Sequence, residues 1–316
     1  VEPAPGDAVP DLRPRPTGLA RHGFRLAALA VAVLVWGCGP REAPPADRFA
    51  AKEHAEQGHV YLHRGQLDEA LREFDAAVDL DPANTLALTG RGVVRTKKGD
   101  LDGALADFDA AVRLDKKDAE AFYHRGAARQ QKKELDGAVD DYTEAVRLRP
   151  DYPDPYVSRA GIWAGRKEWD KAIADYSAGI KLDSALIAAF TGRSEMRQHK
   201  KEFDKAVADL DTAARLEPEA PAVLLGRAWF LATCPDAKYR DGKTAVGQAT
   251  RACELMGWEG GKQLATLAAA HAECGQFDEA VKWQAKALED TEFLKEHAEA
   301  ARRSMTLFQQ KQPVRQ

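Results

Sequence analysis

The sequence predicts an all-α solenoid, a stack of helix–turn–helix hairpins in place of a single globular core. Three observations carry that prediction. Ala70, Ala104, Ala138, Ala172 and Ala206 follow one another at a fixed step of 34 residues. Further small residues keep the same step, in one column as Gly58, Gly92, Gly126, Ala160 and Ser194 and in another as Ala77, Ala111, Ala145, Gly179 and Ala213. Large residues keep it too, as Phe74, Phe108, Tyr142, Tyr176 and Leu210, and as Leu80, Leu114, Leu148, Leu182 and Leu216. A fixed period of this length means repeated supersecondary units, each burying its apolar face against the next. Small residues let helices approach, and the aromatic column fills the space between them.

Residues 1–37 read as an export signal. Arg13, Arg15, Arg21 and Arg25 precede the apolar run Leu26–Trp36, and Gly37-Cys38-Gly39-Pro40 follows. A basic region, a short apolar stretch and a small residue before a cleavage point have that meaning. The run is short for a membrane span, which takes roughly 20 residues. Val35-Trp36-Gly37-Cys38 resembles the bacterial lipobox, which implies that Cys38 carries lipid and becomes the mature amino terminus. Trp36 is bulkier than that motif prefers, and cleavage elsewhere or an uncleaved anchor are the other readings. Residues 38–50, with the Pro-rich stretch 39–47, read as a flexible tether.

Five units follow at 51–84, 85–118, 119–152, 153–186 and 187–220. In the first, Gly58, Ala70, Phe74, Ala77 and Pro82 hold a small–small–aromatic–small–proline order. Pro150 and Pro218 repeat the proline that stops the second helix, while Lys116 and Ser184 replace it elsewhere. This pattern resembles the tetratricopeptide repeat family over roughly residues 51–294, and implies a right-handed superhelical solenoid.

A sixth unit, 221–260, keeps Ala228 and then leaves register in the Pro/Asp/Gly-rich stretch Cys234–Gly242, expected as a projecting loop between its helices. Ala245, Ala249 and Ala252 resume the second helix. The seventh, 261–294, carries Ala268, Gly275, Ala280 and Ala287, but Gln284 holds its aromatic place beside Trp283. Residues 231–288 resemble a C-terminal module that recurs in bacterial repeat proteins. From about Thr291 one more helix begins, and residues 295–316 serve as capping helix and tail, closing the open end of the stack.

Composition narrows the function. With 44% hydrophobic and 30% charged residues the chain suits water, and its net charge of −4 gives no general attraction to nucleic acid. No nucleophile elbow, phosphate-cradling loop or zinc motif is present, so no enzyme, no cofactor and no small-molecule substrate is expected. Cys234, Cys253 and Cys274 match no metal-ligand spacing, and free thiols are the simpler reading of them. His59 and His63 share a helical face without further ligands, so no metal is expected either.

Charges recur as well. Arg64, Lys98, Lys132, Arg166 and Lys200 end the first helices, with Asp68, Asp102, Asp136, Asp170 and Asp204 four residues on to neutralise them. Arg91, Arg125, Arg159, Arg193 and Arg227 form a second column, and Glu73, Asp107, Asp141, Asp175 and Asp209 an acidic one. Joining each acid to the arginine of the next unit leaves no member alone, so an inter-unit ladder is expected: Glu73–Arg91, Asp107–Arg125, Asp141–Arg159, Asp175–Arg193 and Asp209–Arg227.

The family resemblance implies protein recognition, with first helices lining an inner wall that takes a peptide or a partner helix. On the family's pattern that wall includes His59, Thr89, Tyr123, Gln130, Glu195 and Trp229. The family's carboxylate clamp for chaperone tails needs lysine and asparagine where Thr89/Val93, Tyr123/Ala127 and Val157/Gly161 stand. The expected protein is thus a scaffold for other envelope proteins, lipid-anchored in a bacterial cell envelope and facing outside the cytoplasm. The alternative is a soluble, non-lipidated interaction protein, cytoplasmic or exported.

Overall fold

The computed structural model of the protein describes residues 44–315, and across them the chain is all-helical. Seven antiparallel hairpins pair α1 (Pro45–His63) with α2 (Leu67–Leu80), α3 (Thr85–Lys98) with α4 (Leu101–Leu114), and α5 (Ala119–Gln131) with α6 (Leu135–Leu148). They continue with α7 (Pro153–Gly165) and α8 (Trp169–Leu182), α9 (Ile187–His199) and α10 (Phe203–Leu216), α11 (Pro221–Thr233) and α12 (Gly242–Leu255), and α13 (Gly261–Glu273) and α14 (Phe277–Ala287). A last helix, α15 (Thr291–Gln309), lies on α13 and α14. Each second helix also packs on the first helix of the following hairpin, which makes the stack continuous.

Local chemistry sets the helix ends. The Asn84, Asp100 and Asp118 side chains accept backbone N–H groups of α3, α4 and α5, and prolines open α7 and α11 where a missing N–H costs nothing. Within the hairpins, the turn passes through one left-handed residue, glycine at Gly65, Gly99 and Gly275 and lysine at Lys133, Lys167 and Lys201. Export signal and lipidation at Cys38 lie outside the described residues. The tether is shorter than expected: Pro45–Ala50 already belong to α1, opened by a first-turn proline with Asp47 near its positive end.

The small columns do what their size predicts. All five alanines from Ala70 to Ala206 are fully buried. A Cβ added at Gly58, Gly92 or Gly126 would come within 2.7, 2.6 or 2.8 Å of Phe74, Phe108 or Tyr142, so each aromatic ring lies flush against a backbone. Fully burying such a ring is worth roughly 1.5–3 kcal/mol. The leucine column is different, for Leu114, Leu182 and Leu216 remain about two-fifths exposed.

The arginine–aspartate ladder runs otherwise than expected. Arg91 forks onto Asp107 (Nε–Oδ2 3.0 Å, Nη2–Oδ1 2.7 Å), inside its own hairpin. Arg125 grips Asp141, Arg159 Asp175 and Arg193 Asp209 in the same way, each pair 16 residues apart. The physical reason is the hairpin itself: antiparallel helices place these two positions face to face. A second donor four residues on completes each site, as Arg95 to Asp107, Arg129 to Asp141 and Arg197 to Asp209 at 2.7 Å, with the Trp163 indole N–H replacing it at Asp175. The remaining guanidinium nitrogen does reach the preceding hairpin, to Asp75, Asp109, Thr143 and Ser177. At the stack's beginning Glu73 meets His54 at 2.7 Å.

A ladder between hairpins exists instead at the exposed edge. Lys132 reaches back to Asp102 at 2.7 Å and Arg166 to Asp136 at 2.5 Å, while Lys98 pairs with Asp68 and Lys200 with Asp170. The aspartates therefore neutralise the cations of the next unit, not of their own, because the end of a first helix stacks over the start of the preceding second helix.

The insertion is not a free projection. Ala237–Tyr239 form a 3-10 turn, and the Tyr239 ring lies 5.8 Å from both Phe203 and Phe230. Arg240 donates to the carbonyls of Cys234 and Pro235 and pairs with Glu273 at 2.8 Å. Ala228 and Ala252 are fully buried, so the hairpin closes across the insertion. Beyond it one core joins Ala228, Ala245, Leu267, Ala280 and Phe308. Gln284 is buried in the aromatic place and donates to the Ala301 carbonyl of α15 at 3.0 Å. The tail folds back, with Arg315 reaching Glu273 at 2.6 Å and the Ala232 carbonyl at 3.3 Å. Cys234 and Cys253 are buried thiols and Cys274 an exposed one.

Candidate recognition surface

First helices pack on one another as well as on their own partners: α1 on α3, α3 on α5, α7 on α9, α9 on α11 and α11 on α13. They thus form one wall of the stack, and the six residues expected for recognition all lie on them. Their environments differ. His59 presents its ring edge to Phe74 at 5.1 Å between centroids, and burial followed by His63 lowers its pKa. Thr89 is buried, its hydroxyl sheltered without a partner, so it belongs to the core more than to a contact surface. Glu195 is exposed on α9, and burial with Glu195 nearby pushes the Tyr176 phenol up to about 12. Trp229 is half-buried against the alanine-rich C-terminal core.

Tyr123 and Gln130 come together. The Tyr142 hydroxyl donates to Gln130 at 2.8 Å, and the Tyr123 ring lies 5.9 Å from Tyr142. Tyr123 also meets Tyr152 edge-on at 5.2 Å and His124 at 5.1 Å, and burial raises its phenol pKa. Around this pair stand residues that the repeat columns did not single out. Glu120 accepts from Arg149 at 2.9 Å, and the Arg149 guanidinium lies 5.2 Å from the Tyr152 ring centre. His124 stacks over Phe108, and burial lowers its pKa. Tyr152 and Arg149 lie at the junction between hairpins, where each departs from its sequence column. Their only signal was an aromatic beside the Pro150-Asp151 turn.

The arrangement offers half-buried aromatics, amide and carboxylate groups on the wall of first helices. Such a surface can hold a polypeptide by stacking and hydrogen bonds. Among the described residues no group of three or more His, Cys, Asp or Glu could hold a metal ion.

Comparison with known proteins agrees with the architecture. A family model described as tetratricopeptide repeat matches residues 56–119 and 96–153. No curated protein sequence matches the chain. Among solved structures, a functional characterisation of pilF from Pseudomonas aeruginosa supplies one at TM-score 0.60 and 17% identity, covering 66% of this chain and 93% of that one. A tetratricopeptide repeat protein from Parabacteroides merdae gives TM-score 0.56 and 17% identity, covering 82% and 99%. The MamA protein is 26% identical over 54% of this chain and 93% of its own, at TM-score 0.47. The matched segments make residues 56–153 tetratricopeptide repeats, and the 34-residue register and stacked hairpins continue the same architecture beyond them.

Proposed function

We propose that the protein is a scaffold that binds peptide segments or helices of other proteins along the wall of its first helices. The observation that carries this reading is the Tyr123–Gln130–Tyr152 cluster on that wall, where ring edges and polar groups are partly open to a partner. His59, Glu195 and Trp229 extend the contact toward both ends, and Thr89 supports it from beneath. A photo-crosslinker placed at Tyr123 in intact cells should capture a protein partner, and Tyr123→Ala should lower the yield of native complex. Capture equal to that of a crosslinker on the second-helix wall, at Arg113, would overturn it.

A second element of the proposal is membrane tethering through lipid on Cys38, with the solenoid facing outside the cytoplasm. It rests on the basic–apolar–cysteine order of the amino-terminal sequence. Among the described residues no helix is long and apolar enough to cross a membrane, so attachment would come through that segment. Cys38→Ser should move the protein from the membrane fraction or leave an uncut precursor. A mature terminus elsewhere without an acyl group would favour the soluble, non-lipidated form.

A further inference from the structure

The arginine fork is repeated with one interruption. Arg91, Arg125, Arg159 and Arg193 each hold a carboxylate of their own hairpin, and their side chains are 13–15% exposed. Arg227 holds the same place at the start of the sixth hairpin. There the counterpart of Asp209 is Gln248, whose Oε1 is buried without a hydrogen-bond partner. Among the described residues Arg227 keeps only the link to the preceding hairpin, a contact with Asp211 at 3.0 Å, and its side chain is 30% exposed. A guanidinium that elsewhere grips two carboxylate oxygens thus has most of its donors unfilled.

Its surroundings are also unusual. Arg227 opens into a groove of about 650 Å³ between α10 and α11, lined by Ala208, Asp211, Thr212, Ala214 and Arg215. Arg215 donates to the Thr212 hydroxyl at 3.0 Å and has no carboxylate partner among the described residues, whereas Arg147 at the equivalent place of α6 pairs with Glu144. Two guanidinium groups therefore face one carboxylate in this groove, leaving one positive charge in excess. The lining comes chiefly from a second helix, so the groove lies apart from the wall of first helices.

We propose that this groove is a second docking site, which takes an acidic side chain of a partner polypeptide between Arg227 and Arg215. The chain itself supplies the precedent for the chemistry: the same arginine position seats an aspartate in four successive hairpins, and a partner's carboxylate in the groove would give Arg227 a second acceptor beside Asp211. The excess of one charge suits a monoanionic carboxylate. A phosphate group, carrying about −1.5 to −2, would leave the groove with a net negative charge, whereas one carboxylate neutralises it. Apolar lining from Ala208 and Ala214 leaves room for the methylene stem of a glutamate.

The test uses the full chain and short fluorescent peptides of equal length, rich in glutamate, glutamine or phosphoserine, followed by anisotropy. The glutamate peptide should bind, weaken as salt rises, and bind about tenfold more weakly to Arg227→Gln and to Arg215→Gln, the loss of one charge-assisted contact. Arg113→Gln on α4 and Tyr123→Ala on the other wall should leave this binding unchanged, which separates the site from the surface proposed above. Circular dichroism verifies that each variant keeps its helix content. Independently of any variant, the Arg227 Nε–Hε signal of the wild-type protein should move on adding the glutamate peptide. Equal affinity in the arginine variants, equal binding of the glutamine peptide, tighter binding of the phosphoserine peptide, or an unmoved Arg227 signal would each overturn the proposal.

Discussion

The hairpins from α3 to α10 and the segment from α11 to the tail solve one problem, holding helices in register, by different means. Each regular hairpin seals an aspartate between its helices, and Asp107, Asp141, Asp175 and Asp209 are all buried beneath guanidinium or indole donors. In the C-terminal segment that position holds Gln248 and then Trp283, and register comes from a continuous alanine-rich core under α15. Its charges sit at the margin, where Glu273 ties Arg240 of the insertion to Arg315 of the tail. The difference teaches that the small columns make the fold, while the buried ions fix how each pair of helices faces. Where a broader apolar core can do that, the ions are dispensable.

The strongest way to break the regular region is Asp141→Ala. It leaves Arg125 and Arg129 without their shared acceptor in a nearly sealed site, at a cost of about 3–5 kcal/mol. Urea unfolding would measure it, and a loss no greater than that of a surface substitution would refute the role given to the forks. In the C-terminal segment the matching change is Glu273→Ala, which deprives Arg240 and Arg315 of one partially exposed carboxylate. A loss of about 1.5–3 kcal/mol is expected, with hydrogen exchange rising at the tail and the insertion before it rises in α5.

Glycines sharpen the contrast further. At Gly90 a Cβ would meet the Phe74 ring at 2.4 Å, but at Gly226, in the same column, the nearest atom is Leu210 Cδ2 at 3.5 Å. Gly90→Ala should therefore cost about 1–3 kcal/mol by overpacking. Gly226→Ala should gain about 0.5–1 kcal/mol of helix propensity. Thermal unfolding of the two variants should move in opposite directions. The smallest effect belongs to the edge ladder. Asp136 is almost wholly exposed beside Arg166, and exposed pairs are screened by water and salt. Asp136→Ala should unfold together with the wild-type chain, and a loss near that of Asp141→Ala would show the edge to be structural.

The repeat was legible because each unit buries the same small and aromatic positions, so the period is written in residues such as Ala138 and Tyr142 that cannot vary much in size. Partners of charged residues were not. Balancing the two columns joined Asp141 to Arg159, although an antiparallel hairpin brings Arg125 opposite it. The balance also assumed that the columns were closed, whereas Glu73 found His54 and Arg227 found Asp211. A readable signal lay in Asp75, Asp109, Thr143, Ser177 and Asp211, five oxygen acceptors in one column. The six residues expected for the inner wall lie on first helices, but spacing cannot tell the sheltered Thr89 from the exposed Glu195, since their neighbours come from other units. Tyr152 and Arg149 escaped notice because each departs from its column, Arg149 from the acids Asp81, Asp115, Asp183 and Glu217 and Tyr152 from the capping Asn84 and Asp118.

Closure of each fork within 34 residues also bears on how such a chain can change length over generations. A unit with its acid and base inside it is electrically self-sufficient. Duplication or loss of a whole unit at either end of the regular array leaves no buried aspartate orphaned, and only an exposed edge pair or the guanidinium's third contact, to a half-exposed aspartate or a hydroxyl, must find a new neighbour. Had the forks joined neighbours, each shortening of the array would have left a charge buried alone. A lineage carrying this arrangement can lengthen or trim its binding wall in single genetic steps, each of them tolerated by the fold.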